Sequence, residues 1–113
     1  MENHDWTKEV RIDITVCDKR GKILQMNRHA AETFAKYGGE NLLGTDLLDC
    51  HPEPAKTKLK NMLAEGDENV YTIEKEGKKS LIVQLPWYQN DRFAGLVELN
   101  IPLPAFLPHF NRD

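Results

Sequence analysis

The sequence predicts an α+β domain in which antiparallel strands flank a helical insertion. Three observations carry that reading. Apolar and polar residues alternate near both ends of the chain, short turn signals join those stretches, and helical periodicity is confined to the middle. A chain of 113 residues makes one domain, large enough to bury roughly 65% of its unfolded surface without staples.

Residues 12–17, IDITVC, alternate Ile12, Ile14 and Val16 with Asp13, Thr15 and Cys17, the pattern of a half-buried strand. DKRG at 18–21 turns the chain, and KILQM at 22–26 returns it as the second strand of a hairpin. Asn27 is placed to cap a helix, because its side-chain oxygen can accept from the first-turn amides. In RHAAETFAKYGG, Ala30, Ala31, Phe34 and Ala35 share one helical face, and Gly38–Gly39 supplies a left-handed stop. ENLLGTDLLD follows as a short helical turn and loop. A longer helix begins around Pro54, since proline suits a first helical position. Ala55, Leu59, Met62 and Leu63 form its apolar stripe, Lys56, Lys58 and Lys60 its opposite side, and Gly66 its end.

Three strands close the domain, at 70–75, 80–89 and 93–101, with EGK and QNDR as the hairpin turns. Pro86 implies an edge position or a bulge in the middle strand. Trp87 and Tyr88 point to opposite faces, and the outward one is a candidate partner surface. The organisation is thus an N-terminal cap segment (1–11), the domain proper (12–101) and an irregular, proline-rich tail (102–113). Trp6 and Val10 lie four residues apart, on one face of a short leading helix or in a frayed terminus.

A composition of 40% hydrophobic and 29% charged residues is that of an ordinary globular protein. The net charge of −3 is spread along the chain and speaks against nucleic-acid binding, and KEGKK at 75–79 reads as a solvated hairpin tip. No apolar run reaches the roughly 20 residues of a membrane span, and the first residues carry no secretory pattern. A cytoplasmic location is the expectation. Cys17 and Cys50 lie far apart without CxxC spacing and are expected as free thiols.

The order and hinge residues of these elements resemble the PAS (Per-Arnt-Sim) sensor family. VCDKRGKILQMNRHAAETF is similar to the family's opening, NLLG to its leucine-glycine element and FAGLVEL to its glycine-bearing last strand. The likeness spans roughly residues 10–101. It implies a five-stranded antiparallel sheet with helices packed on one face and a cavity between them. It further implies a sensory or dimerisation module, not an enzyme, that binds a small ligand or a partner protein and acts by population shift. A homodimer and a signalling partner in trans are the expected associations, with neither nucleic acid nor membrane involved. The family's Asp-Ile-Thr after the last strand stands here as Asn100-Ile101-Pro102, and Pro102 and Pro104 oppose a helical linker. Either the chain works in trans or a partner domain lies outside this sequence.

The cofactor question turns on positions. The photoreactive cysteine of flavin-binding light-oxygen-voltage domains falls on Leu47 and their glutamine on Val97, so flavin photochemistry has no residues to use. The tyrosine and glutamate that hold the chromophore of photoactive yellow protein fall on Met26 and Ala30, which speaks against a covalent chromophore. Haem is the main alternative, with His51 as its iron ligand. The stretch LLDCHPEP therefore has several readings. Cys50–His51 is a turn pair in which His51 bonds a backbone carbonyl, a ligand contact, or in part a haem ligand. Catalysis by Cys50, with Asp49 or Asp46 orienting His51, is a more distant enzyme reading. The candidate pocket comprises His51, Cys50, Asn27, Met26, Phe34, Met62 and Val97, with Val83, Leu85 and Leu99 as core. His29 is expected on the outer face of its helix, and no spacing suggests structural metal.

Overall fold

The computed structural model describes residues 4–113, apart from the side chain of Cys50. Its first hairpin pairs β1 (Asp13–Asp18) with β2 (Ile23–Met26), antiparallel, with a bulge between Val16 and Cys17. Asp18 shapes the intervening turn by accepting from the amides of Arg20 and Lys22, both at 2.9 Å. After the helical insertion come β3 (Asn69–Lys75), β4 (Lys78–Gln89) and β5 (Arg92–Pro102). The five strands form one antiparallel sheet in the order β2-β1-β5-β4-β3. Both late hairpins turn on two residues of positive φ, Glu76–Gly77 and Asn90–Asp91, whose twist matches that of the strands.

The expected α+β architecture holds, and Pro86 satisfies both of its expectations. It lies in β4 beyond Gln84, where pairing with β3 ends, so its missing amide leaves no ladder bond unmade. A bulge follows between Trp87 and Tyr88. Tyr88 is the exposed member of that pair and meets Phe93 edge-on at 6.4 Å.

The first helix is shorter than its apolar stripe suggests. α1 (Arg28–Thr33) gives way to 3-10 turns at Ala35–Tyr37 and Gly39–Leu42, because the Thr33 hydroxyl bonds back to His29 O and Gly38 and Gly39 take left-handed φ. Ala30 is buried, Phe34 is half-buried and Ala35 is exposed. A third 3-10 turn at Leu47–Cys50 leads to α2 (Ala55–Glu65), which begins one residue after Pro54. Glu53 fixes that start by accepting from the Thr57 amide at 2.9 Å and from the Thr57 hydroxyl. Leu59, Met62 and Leu63 are the buried side of α2, Ala55 is exposed, and Gly66 closes the helix in the left-handed region.

Both helices lie on one face of the sheet, called inner below. α2 meets it through a cluster of Leu59, Met62, Leu63, Cys17 and Leu96, flanked by Leu47 and Leu48. α1 is tied to it through Asp13, whose Oδ1 receives the Thr33 hydroxyl at 2.9 Å and lies 2.5 Å from Nδ1 of His29. His29 is thus turned toward β1, not outward as expected. A carboxylate on the inner face captures its ring. The segment around Trp6 and Val10 forms turns and bends instead of a helix, since its carbonyls are drawn to Asn27; residues 1–3 of the expected cap lie outside the described residues.

Asn27 is the joint of the fold. It is buried, its Oδ1 accepts from the amides of Ile14 (3.1 Å) and Ala30 (2.9 Å), and its Nδ2 donates to the carbonyls of Thr7 (3.0 Å) and Ile12 (2.8 Å). Gly95 is the second fixed point. The Trp87 indole reaches across β5 there to donate to Cys17 O at 2.9 Å. A Cβ on Gly95 would sit 1.9 Å from that same oxygen.

Two stability measurements follow. Asn27→Ala leaves two buried amides and two half-buried carbonyls without their partner and is expected to cost about 2–4 kcal/mol, read as a lower urea midpoint at unchanged slope. Asn27→Asp keeps both acceptor bonds and should lose less. Gly95→Ala drives a methyl into backbone and is expected to cost roughly 3 kcal/mol or more. A variant melting like wild type would show that β5 can move away from β1.

Candidate functional site

Strand pairing sets which side chains share the inner face. Met26, Thr15, Glu98, Gln84 and Asn69 form one continuous row across all five strands. The rows beside it hold Cys17, Leu96 and Pro86 under α2, and Asp13, Asn100, Ile82 and Tyr71 toward α1. Glu98 therefore stands at the centre of the sheet, between the two places where helices touch it.

The central row is hydrogen-bonded in one direction. Asn69 Nδ2 donates to Gln84 Oε1 at 2.9 Å, and Gln84 Nε2 donates to Glu98 Oε1 at 3.2 Å. Thr15 and Gln84 are buried, while Glu98 retains partial solvent access. Burial pushes the Glu98 carboxyl above its ordinary range, against the opposing pull of the Gln84 bond and of nearby His51; the charge of Asp13 adds to the rise. Tyr71 lies close enough to Glu98 that its phenol is raised, first by burial and then by that carboxylate.

His51 lies near enough to Glu98 to bear on its charge. Its Nδ1 lies 2.8 Å from Leu47 O, and since a carbonyl only accepts, Nδ1 carries the proton. The backbone-carbonyl reading of His51 thus describes its geometry, and its electrostatic reach to Glu98 brings it to the cleft as well. The Cys50 side chain lies outside the described residues.

The other expected pocket residues divide. Met26 shares the central row, Met62 belongs to the α2 cluster, and Phe34 is half-buried just past α1. Asn27 has its donors and acceptor committed to backbone groups, so it builds the frame and presents nothing to a ligand. Val97 is a correction: between Leu96 and Glu98, it points to the outer face, paired with Val16 and Leu85. Val83 and Leu99 lie there too, paired with each other and flanked by Ile14 and Val70, so none of these four lies in the helix-covered core. The sheet is polar toward its helices and apolar on its other side.

Glu98, Gln84, Asn69, Thr15 and Tyr71 went unselected in the sequence. Their signal is a polar residue set into an apolar strand, Gln84 in LIVQLPW and Glu98 in GLVELNI. Only the register shows that these interruptions fall side by side. Among the described residues, no group of three or more His, Cys, Asp or Glu side chains is arranged to hold a metal ion. No helix of the described residues is long and apolar enough to cross a membrane.

No family model and no curated protein matches the chain. Solved structures do match it. The PAS domain of histidine kinase ThkA aligns with a TM-score of 0.63 at 18% identity, covering 81% of this chain and 99% of its own. A sensory box sensor histidine kinase from Vibrio cholerae gives 0.63 at 14% identity, with 88% of each chain covered. The Aer2 receptor from Vibrio cholerae, a dual PAS-heme oxygen sensor, gives 0.61 at 12% identity, covering 82% of this chain and 95% of its own. The fold is the PAS fold.

Glu98 makes a pH-dependent demand on stability. A carboxyl raised by folding holds its proton more tightly in the folded state, so stability falls as pH climbs from the ordinary value of 4.5 through the raised one. Glu98→Gln keeps the bond from Gln84 and removes the charge. It is expected to melt above wild type near pH 8, with the gap closing toward pH 4.5. A gap independent of pH would rule out burial of the charge as its source.

Proposed function

We propose that this chain is a sensory module of signal transduction that binds a small ligand in the cleft between the helices and the inner face of the sheet. The observation that carries this reading is Glu98, a recessed carboxylate with a single hydrogen bond among the described residues, in a row with Met26, Thr15, Gln84 and Asn69. A fold that needed only a packed core would be served better by apolar residues there, because a buried charge without a partner is costly. The likeness to sensor domains points the same way.

Signalling follows as a population shift. A ligand that contacts both the sheet floor and the α2 side favours one packing of α2 over the sheet. The outer face, with Val16, Val97, Leu85, Leu99 and Val83, offers an apolar surface to a second copy or to a signalling partner in trans. The role is one of binding, not catalysis. A cytoplasmic location suits the free, buried Cys17 thiol.

Haem is the second reading, and one observation favours it: the bond from Nδ1 to Leu47 O leaves Nε2 of His51 available to iron. The surroundings do not fit a porphyrin. The face below His51 presents Glu98, Gln84 and Asn69, which an apolar macrocycle would cover without satisfying.

Native mass spectrometry after incubation with the low-molecular-weight fraction of a cell extract tests the proposal. A discrete added mass that is lost on denaturation is expected, with amide shifts in the NMR spectrum at Glu98, Tyr71 and the start of α2. An unchanged mass and spectrum would overturn it. An absorption spectrum with a Soret band lost in His51→Ala would replace it with the haem reading.

A further inference from the structure

We propose that the inner cleft selects a small organic cation, a protonated amine, amidine or guanidinium, with Glu98 as its counter-ion. This rests on the ligand-binding reading above and adds the class of ligand. Three observations lead to it.

The first is the direction of the central row. Asn69 donates to Gln84 and Gln84 donates to Glu98, so the donors of both amides point along the row and it ends on an acceptor. Oε1 of Glu98 takes the Gln84 bond. Among the described residues no other hydrogen bond reaches this carboxylate, so Oε2 stays open to whatever enters the cleft.

The second is the sign of the local charge. From the Cys17–Leu96–Pro86 row to the Asp13–Asn100–Ile82–Tyr71 row, no inner-face position holds Lys or Arg. The lysines of α2, Lys56, Lys58 and Lys60, are all exposed. Asp13 contributes a second carboxylate, already engaged by His29 and Thr33, and its charge bears on Glu98. An anion entering here meets two acids, with His51 the one base whose charge reaches Glu98. A neutral molecule leaves Glu98 desolvated without compensation. A cationic donor supplies both the missing hydrogen bonds and the missing charge.

The third is the rim. Tyr71 is 42% exposed on the strand next to Gln84, so its ring borders the open side of the cleft beside Glu98. An aromatic face beside a carboxylate suits the flank of an organic cation. His51, with Nδ1 committed to Leu47 O, keeps Nε2 uncommitted.

Benzylamine and benzamidine, with benzyl alcohol and benzoate as neutral and anionic counterparts of the same shape, are the probes. They are titrated into wild type and Glu98→Gln and followed by calorimetry and NMR. The two cations are expected to bind wild type and to weaken roughly tenfold or more in Glu98→Gln, while benzoate shows no saturation. Melting of Glu98→Gln at or above wild type shows that the loss is not one of folding. Equal binding of benzoate or benzyl alcohol, or unchanged cation binding in Glu98→Gln, would overturn the cation assignment and leave the ligand-binding reading standing. Failure of all four probes would overturn the assignment too, and the extract experiment decides the broader reading on its own.

Discussion

Everything distinctive in this domain follows from the pleat of β5. Successive side chains on a strand point to opposite faces, so Leu96, Glu98 and Asn100 must share one side and Val97, Leu99 and Ile101 the other. A slip of one residue would exchange the two sets completely. The register holds because β5 approaches β1 at Gly95, where a side chain has no room and the Trp87 indole closes over the gap onto Cys17 O. Backbone contact, more than side-chain hydrophobicity, decides that Glu98 faces the helices.

The consequence is a sheet of inverted polarity. Its inner floor is stabilised by hydrogen bonds running from Asn69 through Gln84 to Glu98, with apolar packing reserved for the end under α2. Asn27 makes this tolerable for the rest of the fold. By joining the carbonyls of Thr7 and Ile12 to the amides of Ile14 and Ala30, it fixes the N-terminal segment, β1 and α1 to one another with a single side chain. α1 then needs little apolar contact. The Asp13–His29–Thr33 group holds it to the sheet through polar bonds.

Much of the scaffold was legible in the sequence for local reasons. IDITVC and the three late strands announced themselves by alternation and tight turns, Asn27 by its place before a helix, and α2 by a stripe ending at Gly66. The site was not legible, and the obstacle is physical. Alternation tells which residues share a face; it does not tell which face receives the helices. Assigning the apolar set Val83, Leu85, Val97 and Leu99 to the core follows the ordinary rule, and long-range pairing reversed it here. LLDCHPEP was legible as a turn, because its hydrogen bonds are local. Its polar groups are largely committed to local backbone: Asp46 accepts from Leu48, His51 meets Leu47 O, and Glu53 accepts from Thr57. A dense cluster of reactive residue types can be a dense set of turns.

The inverted sheet also bears on how a signal could leave the cleft. Glu98 and its neighbours Val97 and Leu99 sit on the same strand, one carboxylate facing the helices and two aliphatic side chains facing the other way. In the proposed reading, a cation that pairs with Glu98 offsets the cost of holding that charge on the strand that carries the outer surface. Such a ligand acts on the outer face only through its different affinity for the two states of β5 and α2, so its leverage is bounded by what pairing with Glu98 contributes. Each 1.4 kcal/mol of that difference is about tenfold in population. A recessed carboxylate with one protein hydrogen bond leaves room for a difference of that size. A floor of leucines in the same place would bind apolar ligands with no comparable change of charge beneath the strand.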